Sequence, residues 1–81
     1  MTPSAPADGD LHTGTVTFYR PEEGWGAISS ADLPAGRDAW VHFSVIDMPG
    51  YRTLQEGQAV RFAFEQVQQD GFDYRATYVR P

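Results

Sequence analysis

The chain contains no cysteine and no lysine. Without cysteine there are no disulfide staples and no thiolate metal sites, so burial and backbone pairing must hold the fold. Without lysine, six arginines face eleven acids, for a net charge of −5. The strongly basic footprint of a phosphate-driven binder is therefore missing. Two histidines, His12 and His42, stand too far apart in sequence to suggest a structural zinc site. No apolar run approaches the ~18 residues of a membrane-spanning helix, and no charged-then-apolar leader precedes the first polar stretch. A soluble, cytoplasmic protein is expected. Eighty-one residues suffice for one small domain, which buries only about 60% of its unfolded surface.

What is present is aromatic and β-branched. Residues 1–10, MTPSAPADGD, have the composition of a disordered tail and leave the folded domain to 11–81. From Leu11 onwards, short runs rich in Val, Phe, Tyr, Trp and Thr are punctuated by Gly, Pro and Asp, the pattern of an all-β chain. Strands are expected at 13–20, 25–30, 38–43, 58–67 and 72–79. The segment 31–37 is a short loop, and 44–57 is a long one with room for a single helical turn. Val60, Phe62 and Phe64 alternate before Asp70-Gly71, and Phe72, Tyr74, Ala76 and Tyr78 alternate after it. Asp-Gly supplies the positive φ angles that a tight hairpin turn requires. Five short strands predict a small antiparallel five-stranded β-barrel, which leaves no exposed sheet edge.

Catalytic motifs are sparse. Gly24-Trp25-Gly26 leads into a strand rather than a helix, so it is no phosphate-binding loop. His42 lies two residues from Ser44, but no third group is in place to orient a base and nucleophile. A non-enzymatic role is expected. The informative feature is ring placement. In 23–28 (EGWGAI), strand alternation puts Trp25 and Ala27 on one face, with Gly26 and Ile28 on the other. In 38–43 (DAWVHF), Trp40 and His42 share a face and Val41 opposes them. One face is then an aliphatic core, while the other displays two tryptophans and a histidine. Flat rings on an exposed sheet stack nucleobases at roughly 1–3 kcal/mol per base.

Four segments together resemble the bacterial cold-shock proteins, whose single domain is a five-stranded oligonucleotide-binding (OB-fold) barrel. Residues 14–19 (GTVTFY) are similar to that family's first strand, and 23–28 to its first ribonucleoprotein motif. Residues 38–44 (DAWVHFS) are similar to the second motif, and 50–58 (GYRTLQEGQ) to the loop entering the fourth strand. The resemblance covers about residues 12–79. It implies that Phe18, Trp25, Trp40, His42, Phe43 and Tyr51 form a base-stacking platform and that Asp38 reaches a base edge. It also implies a bulge in the first strand that turns Phe18 outward and leaves Tyr19 as its inward neighbour.

The departures fall on charge and on one ring. Thr17 and Glu23 stand where the family has lysines, Arg20 where it has asparagine, and Ala27 where it has phenylalanine. Arg20, Arg52 and Arg75 are candidates to replace the missing positive contacts. Restoring Glu23→Lys and Ala27→Phe together should on this reading tighten binding. The expected function is single-stranded RNA or DNA binding without cofactor or metal, by a monomer favouring pyrimidine-rich strands. In the family such binding serves RNA chaperoning and gene regulation, in some cases beside the transcription or translation machinery. The competing reading is a protein-interaction module that has kept the fold and lost the nucleic acid, since exposed apolar patches also mark protein interfaces.

Overall fold

The computed structural model describes residues 5–81. Five strands, β1 (His12–Arg20), β2 (Trp25–Ser29), β3 (Ala39–His42), β4 (Ala59–Glu65) and β5 (Tyr74–Arg80), close into a barrel of order β1-β2-β3-β5-β4. All neighbours are antiparallel except β3 and β5, which run parallel over Ala39–Tyr74 and Trp40–Arg75. That short parallel seam closes the barrel and departs from the all-antiparallel expectation. The long loop after β3 holds one 3-10 turn, Phe43–Val45. Of the expected tail, residues 1–4 lie outside the described residues. Asp8–Asp10 form a 3-10 turn whose Asp8 carboxylate accepts from Arg80 at 3.0 Å.

The core is the inward half of each strand. Val16, Ile28, Ala39, Val41, Val60, Phe62, Ala76 and Val79 pack into one cluster, with Leu33, Ile46 and Leu54 contributed by loops. Period-two alternation explains Ile28 and Val41 directly. Two bulges break it elsewhere. In β1 the register passes from Val16↔Ile28 to Phe18↔Ala27, so Thr17 is the extra residue. This turns Phe18 out of phase with Val16 and leaves Tyr19 packed against the core.

In β5 the register jumps from Phe64↔Ala76 to Ala63↔Tyr78, which leaves Thr77 unpaired. Val79 therefore fills the core position that uninterrupted alternation assigns to Tyr78. Tyr78 is buried outside that cluster, and its hydroxyl donates to Asp47 Oδ2 at 2.5 Å.

The last hairpin turns on Asp70 and Gly71, at φ 50° and 88°. Gln69 and Phe72 exchange both backbone hydrogen bonds across them, at 2.9 and 2.8 Å. Positive φ at both central residues matches the twist of the flanking chains. The β4–β5 ladder ends at the pair Glu65↔Arg75, and the hairpin tip beyond it is closed by the separate Gln69↔Phe72 bridge.

Candidate nucleic-acid interface

β1, β2 and β3 lie side by side, and their outward positions carry the rings. Trp25 pairs with His42, and Ala27 pairs with Phe18 on one side and Trp40 on the other. Trp25, Trp40 and His42 are half-buried, while Ile28 and Val41 behind them are fully buried. The expected division into an aliphatic inside and an aromatic outside is therefore present in the fold.

The rings meet in two groups. Trp40 and His42 stack at 5.7 Å between centroids and 17° between planes. Phe43 tilts against His42 at 4.5 Å. Phe18 meets Trp25 edge-on at 5.3 Å, and the Arg20 guanidinium sits 5.5 Å from the first ring and 5.7 Å from the second. The cation is thus held near both rings, at cation–π distance. Its carboxylate neighbour, Glu23, is 3.9 Å away.

Among the described residues, Phe43 and Tyr51 are the large apolar side chains most open to solvent, at 44% and 70%. They line a cleft of about 520 Å³ with Pro21, Glu22, Glu23, Gly24, Gly50 and Arg52. The Tyr51 hydroxyl donates to the Pro21 carbonyl at 3.2 Å, which ties the long loop to the β1–β2 turn. Gly24, at φ 78°, makes room for Phe43: a Cβ there would come within 2.7 Å of the ring.

His42 is oriented by its own chain. The Ser44 backbone N–H donates to His42 Nδ1 at 3.3 Å, and the Ser44 hydroxyl lies 2.9 Å from the same nitrogen. A backbone N–H can only donate, so Nδ1 is an acceptor and the neutral ring carries its proton on Nε2. The His42–Ser44 contact is thus the cap of the 3-10 turn.

Asp38 accepts from the Thr17 hydroxyl at 2.8 Å, at the rim of the same face. Arg75 stands in register with Trp40 but is ion-paired with Glu65. Among the expected arginines, Arg20 and Arg52 adjoin the rings, whereas Arg75 is already engaged by a carboxylate.

One ring escaped the sequence reading. Phe72, from the tip of the last hairpin, meets Trp25 edge-on at 6.4 Å. It also lines a second cleft with Gly36, Arg37, Asp38, Gly71 and Asp73. An aromatic directly after an Asp-Gly turn is the only local signal that it stands apart from the strand that follows.

Comparison with known proteins agrees with this arrangement. The family described as "'Cold-shock' DNA-binding domain" matches residues 12–80. The chain is 44% identical over 52 residues to the cold shock-like protein CspLB of Listeria monocytogenes, covering 64% of this chain and 74% of that protein. It is likewise 44% identical over 55 residues to the major cold shock protein of Streptococcus pyogenes, covering 68% of this chain and 78% of the relative. Cold shock-like protein CspJ of Salmonella typhimurium is 44% identical over 54 residues, or 67% and 74% of the two chains. A closed five-stranded barrel, a ring-bearing outer face on β1–β3 and a family match across nearly all of the folded chain lead to one conclusion: this chain belongs to the nucleic-acid-binding cold-shock domain family.

Proposed function

We propose that the chain binds single-stranded RNA or DNA by stacking unpaired bases on the outer face of β1–β3. The observation that carries this reading is the run of rings on one face: Phe18 and Trp25 in edge contact, Trp40 and His42 stacked, and Phe43 beside them. Every base has a π face, so such a platform is tolerant of sequence, with pyrimidine-rich strands the expected preference by family likeness. In this reading the Nε2–H of His42 and the Asp38 carboxylate are the polar groups that meet base edges.

Binding energy drawn from unpaired bases shifts an RNA hairpin towards its open form, which is the physical basis of a chaperone or regulatory role. No cofactor takes part in this mechanism. A monomer acting in the cytoplasm, in some settings beside the transcription or translation machinery, is the corresponding biological reading. The described residues contain no helix long and apolar enough to cross a membrane.

The test is a titration of tryptophan fluorescence with a short oligothymidine. Trp25 and Trp40 are the only two tryptophans, and both belong to the platform. Quenching that saturates supports the reading. An unchanged spectrum at high oligomer concentration overturns it.

A further inference from the structure

Ala27 presents a contradiction at first sight. It points outward from β2, between Phe18 and Trp40, yet it is 0% exposed. It is also absent from the interior cluster, so something on the outer face must cover it. Its strand neighbours Phe18 and Trp40 flank it, and one further ring is within reach. Phe72 lies 6.4 Å from Trp25 and shares a cleft with Asp38. Trp25 sits two residues before Ala27 on the same face, and Asp38 directly precedes Ala39, the partner of Ile28. A ring close to Trp25 and sharing a cleft with Asp38 is the further candidate for the cover over Ala27.

We infer that Phe72 is a nucleic-acid-contacting ring, supplied by the β4–β5 hairpin tip to fill the gap that Ala27 leaves in the aromatic face. The inference rests on the proposed role of that face. Phe72 is half-buried, so part of its ring remains open for a base. Its position is fixed at several points. The Asp70–Gly71 turn sets its backbone through the reciprocal hydrogen bonds with Gln69. The next residue, Asp73, is ion-paired with Arg37 of the loop before β3. A hairpin tip held in this way presents a ring with little ordering left to do on binding, which favours affinity. The platform is then assembled from four strands' worth of chain rather than three: β1, β2, β3 and the tip that precedes β5.

The experiment compares wild type, Phe72→Leu, Phe72→Trp and Trp40→Ala, titrated with oligothymidines of increasing length. Anisotropy of a labelled oligomer is the readout, because it does not depend on the tryptophans. Phe72→Leu keeps apolar bulk over Ala27 but removes the π face. Loss of a stacked base is expected to weaken binding roughly five- to 150-fold. The loss should appear only with oligomers long enough to reach the hairpin, a dependence that a general loss of structure does not produce. Phe72→Trp should bind like wild type or more tightly. If Phe72→Leu matches wild type at every length while Trp40→Ala binds weakly, the face holds the strand but Phe72 takes no part. If both variants match wild type, the proposed role of the whole face falls with it. Tighter binding by Phe72→Leu would make the ring a cover over the platform, and would equally overturn the proposal.

Discussion

The Trp40 and His42 rings, two residues apart on β3, lie stacked 5.7 Å apart and within 17° of parallel. Two near-parallel rings on alternate positions of one strand form a flat ledge on the outside of the barrel. Directly between them in sequence, Val41 is completely buried in the core. The same four-residue strand thus supplies the core with one side and, under the proposed function, the base-binding face with the other.

Truncating the ledge separates those duties. Trp40→Ala is expected to weaken single-strand binding by roughly five- to 150-fold, the worth of one stacked base. The barrel should remain folded, because Trp40 lies outside the core cluster. Far-UV circular dichroism and an oligomer titration on one sample decide the matter. A mutant that is unfolded at room temperature would place Trp40 among the residues that hold the barrel together.

Salt dependence should be shallow. Arg37, Arg75 and Arg80 are each ion-paired with a carboxylate, and Arg20 is 3.9 Å from Glu23. Few arginine charges are therefore unopposed near the rings, and few phosphates are neutralised on binding. At roughly 0.7 per phosphate for single strands, log affinity should fall against log salt with a slope of about −1 to −2. A slope steeper than about −4 would reveal a basic groove made by rearranged arginines.

How much of this could be read beforehand follows from where each interaction originates. Alternation alone separates Ile28 and Val41 from Trp25, Trp40 and His42, because local geometry fixes the two faces of a strand. The outward turn of Phe18 does not follow from alternation. It needs the bulge at Thr17, which the family resemblance supplied. Nothing in the sequence marked the bulge at Thr77, which brings Val79 into the core cluster and leaves Tyr78 buried outside it. Phe72 was hidden for a related reason: its contact with Trp25 joins a hairpin tip to a distant strand, and no local periodicity carries such a contact. The Arg75–Glu65 ion pair likewise depends on the register of β4 against β5.

Tyr78 offers a test of stability in alkali. Its hydroxyl donates to Asp47, and that bond, reinforced by burial, holds the phenol above its ordinary pKa of 10.0. Burial, with a smaller contribution from Tyr51, raises Tyr19 in the same direction. Groups raised on folding contribute stability that is complete below the unfolded value and is lost as pH climbs through the folded one. Denaturant midpoints should therefore stay level up to about pH 10, the ordinary tyrosine value, and fall beyond it. Tyr78→Phe should cost about 1.5–3 kcal/mol at neutral pH, the range for a hydrogen bond to a charged group. It should also flatten part of the alkaline fall and leave the Tyr19 share. An unchanged alkaline slope in Tyr78→Phe would remove the Tyr78–Asp47 bond from the account.

The place above Ala27 yields the last prediction. The sequence suggested that Ala27→Phe would simply restore a missing ring. The structure shows that the space is already taken, since Ala27 is 0% exposed beneath its neighbours. Adding a phenyl group there, with Phe72 in place, overpacks the face and should cost about 1–3 kcal/mol of stability. Any gain in binding from Glu23→Lys should then come alone, as a salt-screened increment of about 0.2–1 kcal/mol. Removing Phe72 frees the room. In the Phe72→Ala background, Ala27→Phe should recover both melting temperature and oligomer affinity towards wild type. The two substitutions are therefore strongly non-additive, whereas residues without a shared contact add within about 0.3–0.5 kcal/mol. Thermal melts and oligomer titrations of wild type, both single variants and the double variant complete the cycle. Simple additivity in both measurements would show that Phe72 does not lie over Ala27.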